Sequence, residues 1–220
     1  MTRRRYDSVK RTLDVVVGGA ALLVSLPLQA VVAGLVAVKL GRPVLFRQQR
    51  PGKDGELFEL RKFRSMLPVD ESRGRVTDGD RLTRFGSVLR STSLDELPSL
   101  WNIVRGDMSI VGPRPLLPRY LALYTPEQAR RHEVRPGLTG HAQVAGRNAV
   151  DWDERFRLDV EYVDQRSLLL DVKIVWRTVR TVLSRSGVSA EGEATMPFFE
   201  GSTTARQDAP DAPTAEGDAR

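Results

Sequence analysis

A chain of 220 residues, 40% of them hydrophobic, suits one modest domain with extensions. It has no cysteine, which excludes disulfides and thiolate metal sites, and only His132 and His141 could offer imidazole, so a zinc centre is not expected. The formal net charge of +6 points to anionic partners, whether nucleic acid, an anionic membrane surface or phosphorylated small molecules.

No residue from Val15 to Val38 is charged, and a straight helix of that length would reach roughly 36 Å, enough for a bilayer's hydrocarbon core. A cleaved signal peptide is a poor match, because the apolar run is long and no small-x-small cleavage site is followed by an exported-looking domain. Basic residues flank both ends: Arg3, Arg4, Arg5, Lys10 and Arg11 before, Lys39, Arg42, Arg47 and Arg50 after. A single crossing concentrates cations on one side, so symmetric flanks place both ends on the cytoplasmic face. Ser25 and Pro27 lie near the midpoint, where proline removes a helix hydrogen bond and the serine hydroxyl could serve a freed carbonyl. The expectation is a helix that enters the membrane, breaks near Pro27 and returns, with a kinked single span as the alternative.

Val44 to Gln48 and Leu57 to Phe63 partly alternate around a Pro-Gly and Asp-Gly cluster, which predicts a β-hairpin. Met66 to Asp80 is polar and reads as a loop. Helical spacing follows over Leu82 to Leu89, Leu94 to Val104, Leu116 to Tyr124 and on through Ala129, Trp152 to Val163, and Val172 to Leu183. The last sets Val172, Val175, Trp176 and Val179 beside Lys173, Arg177 and Arg180, which suits either a helix lying on anionic headgroups or a core helix with a solvated basic face. Residues beyond Gly187 are polar, with few apolar anchors, and predict a disordered tail. The domains expected are a basic N-terminus with its membrane helix (1–42), a cytosolic catalytic domain (43–187) and the tail (188–220).

The stretch "SLDELPSLWNIVRGDMSIVGPRP" holds the adjacent carboxylates Asp95 and Glu96. Ser93 with Glu96 matches a capping box, and Asp95 in a first turn would favour the helix dipole. Pro98 then falls just past that turn, a local conflict of the kind found at functional sites. Neighbouring helix residues diverge by about 100°, so the two carboxylates would take separate tasks. Asp95 could attack phosphorus, and Glu96 could help hold Mg²⁺ or manage a proton. Cations for phosphate oxygens are available in Lys62, Arg64, Arg90 and the proline-bracketed Arg114. Two rivals remain: an Mg²⁺-dependent glycosyltransferase using Asp78 and Asp80 as a carboxylate clamp, and a non-enzymatic basic membrane-surface adaptor.

The strings "KFRSM", "RLTRFGSVLRSTSLDELPSLWNIVRGDMSIVGPRP", "RPGLTGHAQVAGRN" and "LDVEYVDQRSLLLDVKIVWRTV" closely resemble the bacterial sugar transferases known as monotopic phosphoglycosyl transferases. The resemblance implies transfer of a sugar 1-phosphate from a UDP-sugar to a polyprenol phosphate with release of UMP, the first membrane step of exopolysaccharide or glycoconjugate synthesis. It implies Mg²⁺ as cofactor, Asp95 as the residue esterified by the phosphosugar, and Asp95 with Glu96 as metal ligands. It places Lys62, Arg90 and Arg114 on the substrate phosphates and Asp159 and Asp171 as supporting carboxylates, although Asp171 also stands where the last helix's N-cap would be. Arg147, with Gly146 and Asn148, is a candidate near the nucleotide or part of a structural loop. In the family the helix-breaking serine and proline are adjacent; here Leu26 separates them. The fold expected is mostly helical α+β: a re-entrant membrane helix followed by a small cytosolic domain with a β-hairpin and membrane-surface helices, on the cytoplasmic face of the inner membrane. UDP-sugar, polyprenol phosphate and anionic lipids are the expected partners, nucleic acid is not, and the oligomeric state stays open.

Overall fold

The computed structural model describes residues 3–145, 151–183 and 198–201. The uncharged run forms the C-terminal part of one helix, α1 (Arg3–Lys39), with Pro27 inside it. The helix is long and apolar enough to cross a membrane by length and composition. Tyr6, Asp14, Gly18, Val32, Val36 and Leu40 are its buried positions, at helical spacing along one stripe. Val16, Leu23, Val24, Val31 and Val38 are exposed on the other faces. The expected interruption at Pro27 is not a gap in the helix. Ser25 Oγ donates to Leu22 O (3.1 Å) and accepts from Gln29 Nε2 (2.9 Å), so its hydroxyl serves the carbonyl one residue before the one that proline deprives of its donor.

The stripe changes character along its length. In the first half it is polar: Lys10 Nζ and Tyr6 Oη both donate to Asp171 Oδ2 at 2.8 Å, while Asp14 accepts from Ser109 Oγ (2.7 Å) and Ile110 N (3.0 Å). In the second half it is apolar, with Val32, Val36 and Leu40 packed on Phe63 and Leu89. Two cations, one before the uncharged run and one after the hairpin, also turn inward. Arg11 donates to Ile103 O and Val104 O at the end of a helix, as Arg64 does to Leu40 O and Gly41 O at the end of α1. Both satisfy carbonyls that a helix C-terminus leaves without donors.

The hairpin forms as predicted, with β1 (Leu45–Pro51) antiparallel to β2 (Leu57–Phe63). The polar loop contains a short helix α2 (Asp78–Arg81), and α3 (Arg84–Ser91) starts at Thr83, whose hydroxyl accepts from Gly86 N. The predicted helix from Leu94 to Val104 is two pieces, a 3₁₀ segment over Leu94–Ser99 and α4 (Leu100–Arg105). Strand β3 (Ser109–Val111) follows. Leu116 to Ala129 is likewise divided, into a 3₁₀ segment (Pro118–Leu123) and α5 (Pro126–Ala129), because Pro118 and Pro126 each open a new element. Another 3₁₀ turn (Arg130–Glu133), β4 (Gly137–Thr139), α6 (His141–Ala145), α7 (Trp152–Gln165) and α8 (Leu168–Leu183) complete the order.

Strands β3 and β4 pair in parallel, and the chain beyond them stays close: a Cβ on Gly112 would come within 2.4 Å of Arg135 O, and one on Gly137 within 2.1 Å of Gly112 N. Only glycine permits that approach of the two backbones. In α8, Ile174 is buried while Val172, Trp176 and Val179 are exposed, so the apolar face predicted for this helix does not pack in the core. The tail expectation needs one correction. Phe199 is 4% exposed and packs in an aromatic cluster with Tyr120, Tyr124, Trp152 and Phe156, and its N–H donates to Tyr120 Oη (3.2 Å). Its neighbour Phe198 is exposed, with the Arg119 guanidinium 4.0 Å from its ring centroid.

Candidate active site

The acidic pair lies on the 3₁₀ segment that leads into α4, held against the outer edge of β2 by side chains that replace a third strand. Ser99 Oγ donates to Arg61 O (2.8 Å), Asn102 Oδ1 accepts from Arg61 N (3.2 Å), and Asn102 Nδ2 donates to Glu59 O (2.8 Å). The unpaired strand edge is thereby satisfied and the dyad is placed beside Lys62.

The capping box does not form. Ser93 adopts a left-handed conformation (φ 56°, ψ 18°) and its hydroxyl caps nothing. A non-glycine residue held there costs on the order of 1 kcal/mol, strain of the kind that concentrates at functional sites. Pro98 causes less conflict than expected, since its missing N–H falls in the tight segment ahead of α4 rather than inside an α-helix.

Glu96 turns to cations instead of the backbone. It pairs with Lys62 Nζ and accepts from Arg114 Nη2 (3.2 Å). Burial would push its carboxyl up, but Lys62 and then Arg114 outweigh burial and hold it down at about 2. Asp95 is 8% exposed, and among the described residues no hydrogen bond or ion pair holds its carboxylate. Burial first, and the charge of Glu96 second, push its pKa up to about 6, against the pull of Lys62, Arg90 and Arg114. Two adjacent carboxylates therefore differ sharply in proton affinity, the arrangement expected where they do different work.

Arg90 acts on Asp95 through space: its guanidinium is hydrogen-bonded to Ser65 Oγ (3.0 Å) and Met66 Sδ (3.3 Å). Lys62, Glu96 and Arg114 line a cavity of about 80 Å³ whose other walls include Arg50, Leu116 and Leu138. The "RPGLTG" turn contributes Gly137 and Leu138 to this wall, while Gly146, Arg147 and Asn148 lie outside the described residues.

The two later carboxylates are not brought to the dyad. Asp159 Oδ2 accepts from Arg131 Nε (3.1 Å) and Nη2 (2.7 Å), in an ion pair only 2% exposed on each side. Arg131 Nη2 also donates to Arg114 O (2.7 Å), so Asp159 reaches the site through the backbone that carries Arg114. Asp171 accepts from Tyr6, Lys10 and Tyr162, and joins α1 to α7 and α8. It is not the N-cap of α8, which begins at Leu168 with Ser167 Oγ accepting from Leu170 N (3.3 Å). The Asp78/Asp80 clamp is also not assembled: Asp80 closes a capping box with Thr77, and Asp78 pairs with Arg81.

Among the described residues no three His, Cys, Asp or Glu side chains group as a metal cage. A dyad with one unengaged carboxylate nevertheless fits Mg²⁺, which commonly takes one or two protein carboxylates and completes its shell with water and phosphate oxygens.

Residues 5–185 match the family model described as bacterial sugar transferase. The chain belongs to the bacterial sugar transferase family. The chain is 52% identical over 169 residues, 76% of this chain and 84% of the relative, to "Uncharacterized sugar transferase EpsL" of Bacillus subtilis. It is 42% identical over 198 residues (84% and 73%) to "UDP-glucose:undecaprenyl-phosphate glucose-1-phosphate transferase" of Caulobacter vibrioides. It is 39% identical over 191 residues (83% and 45%) to "UDP-N-acetylgalactosamine-undecaprenyl-phosphate N-acetylgalactosaminephosphotransferase" of Aeromonas hydrophila.

Two residues of this sugar transferase's site were not singled out from its sequence. Arg50 reads there as one more flanking cation, yet it lines the cavity. Arg131 gives no local signal, because its partner lies 28 residues away on α7.

Proposed function

We propose that this sugar transferase moves a sugar 1-phosphate from a UDP-sugar to a polyprenol phosphate and releases UMP, through a phosphosugar ester on Asp95. The observation that carries this reading is the pairing of an Asp95 carboxylate without a partner among the described residues and a Glu96 clamped by Lys62 and Arg114. The donor and acceptor classes come from the relatives' names, which specify UDP-sugars and undecaprenyl phosphate.

The first displacement forms a bond between an Asp95 carboxylate oxygen and the sugar-bearing phosphorus and breaks the phosphoanhydride bond to UMP. The second forms a bond from the polyprenol phosphate oxygen to the same phosphorus and returns Asp95 as a carboxylate. No proton need be taken from either nucleophile once Asp95 is ionised. Lys62 and Arg114 stabilise charge on the phosphoryl oxygens, and Glu96 fixes both cations in place. Asp95 and Glu96 are the residues that would hold Mg²⁺, which would supply further charge neutralisation.

UDP-sugar alone should release up to one UMP per enzyme in detergent with Mg²⁺ and leave a phosphosugar adduct on Asp95, tested across UDP-glucose, UDP-galactose and their N-acetylated forms. Release of UDP, or of UMP only when lipid phosphate is added, would defeat the covalent scheme.

The same reading places α1 as a re-entrant element on the cytoplasmic face. Its support is that Tyr6 and Lys10 near one end, and Val36 and Leu40 at the other, attach to one protein body, while Leu23, Val24 and Leu26 in the middle are exposed. A helix that crossed the bilayer would leave its ends on opposite sides. The exposed Trp176 and Val179 of α8, beside Lys173, Arg177 and Arg180, would rest on anionic headgroups. With no native cysteine, Arg5→Cys and Arg42→Cys give clean probes. Both should resist an impermeant maleimide in intact cells and react after permeabilisation, and labelling of either from outside contradicts re-entry.

A further inference from the structure

Strand periodicity places Arg50, Leu60 and Lys62 on one face of the hairpin, because Arg50 pairs across from Phe58, two residues before Leu60 and four before Lys62. All three line the cavity that holds Glu96 and Arg114. Lys62 and Arg114 share Glu96 as counter-ion, but Arg50 has none among the described residues. Its Nη2 donates to Gln48 Oε1 (2.5 Å), its Nη1 reaches Pro115 O only at 3.4 Å, and its Nε is buried with no partner among the described residues. Burial, and then the like charge of Arg114, pull its pKa down to about 10. Three cations thus meet one carboxylate on the cavity wall. A half-buried guanidinium beside another and without a counter-ion among the described residues carries a desolvation cost, and an anion entering the cavity relieves it.

The four-residue offset along the strands separates the backbone at Arg50 from that at Lys62 by roughly 13 Å. Lys62 and Arg114 both meet Glu96 next to the dyad, whereas the Arg50 fork contacts Gln48 and Pro115 O, so a phosphate held by the first two leaves Arg50 to serve another. We infer that Arg50 is a substrate-binding residue that takes the phosphate of the leaving nucleotide, its fork of donors engaging the oxygens that stay with UMP when the phosphoanhydride breaks. This rests on the phosphosugar-transfer reading above.

The test is steady-state kinetics of Arg50→Met, with UDP-sugar and polyprenol phosphate varied separately and UMP as product inhibitor. Loss of hydrogen bonds to a charged phosphate should weaken UMP inhibition and raise KM for UDP-sugar by about 10-fold or more, while KM for polyprenol phosphate stays within about 2-fold. Arg50→Gln, which keeps a donor for Gln48, provides the same comparison if the methionine variant does not fold. A rise confined to KM for polyprenol phosphate assigns Arg50 to the acceptor and overturns the inference. Unchanged UMP inhibition in a folded variant also overturns it and leaves the function intact. Wild-type enzyme that releases no UMP removes the functional reading itself, and the inference with it.

Discussion

Asp95→Asn should lower turnover by at least about 10³-fold and, at pH 7.5, make the protein more stable than the wild type. In the proposed covalent scheme the loss follows from removing the group that would bond to phosphorus, which Glu96, paired with Lys62 and Arg114, does not replace. The gain follows from the proton balance. Asp95's pKa is raised by folding from 3.8 to about 6, so the folded state binds the proton more tightly than the unfolded chain. The stabilisation this provides is complete below pH 3.8 and is lost as pH rises through about 6. Above that pH the ionised carboxylate weighs against the fold by about 3 kcal/mol, a cost that asparagine does not carry. Thermal unfolding at pH 4 and 7.5 should show the variant's advantage only at the higher pH. Wild-type turnover should rise with pH through about 6 as the nucleophile ionises. Turnover retained in folded Asp95→Asn would remove the aspartyl intermediate.

Asp159→Asn should have the largest effect on stability, about 3–5 kcal/mol. Each partner of the Arg131–Asp159 pair is 2% exposed, and removing one charge leaves the other buried without compensation. For a chain of this size the melting temperature should fall on the order of 10 °C. Burial opposes the guanidinium's charge, but Asp159 overrides it and keeps the Arg131 pKa above its ordinary value. Because Arg131 also holds Arg114 O, the folded fraction should lose some turnover, yet far less than Asp95→Asn does. An unchanged melting temperature with turnover as low as that of Asp95→Asn would move Asp159 from positioning Arg114 into the chemistry.

The contrast between these two carboxylates reflects what the sequence could reveal. The hairpin was legible because alternation and turn residues are local, and α7 because apolar spacing marks its face. Strands β3 and β4 were not, since three residues carry no readable period and their pairing depends on glycines at 112 and 137. The 3₁₀ geometry of Leu94–Ser99 was missed for a related reason: local chemistry favours a cap at Ser93, and contacts with β2 impose another backbone. Lys62, Glu96 and Arg114, which the family resemblance assigns to one site, do meet in an ion-pair cluster. The partners of Asp159 and Asp171 are set by tertiary folding and leave no trace in neighbouring residues.

The two-part stripe of α1 constrains what can be exchanged during divergence or engineering. A chimera carrying a foreign anchor before Leu40 would strip the cover from Phe63 and Leu89 and leave the Asp171 and Ser109 hydrogen bonds incomplete. Any replacement must reproduce the register of Tyr6, Lys10, Asp14 and Gly18 together with Val32 and Val36, so α1 and the enzyme body can be swapped only as one inherited block.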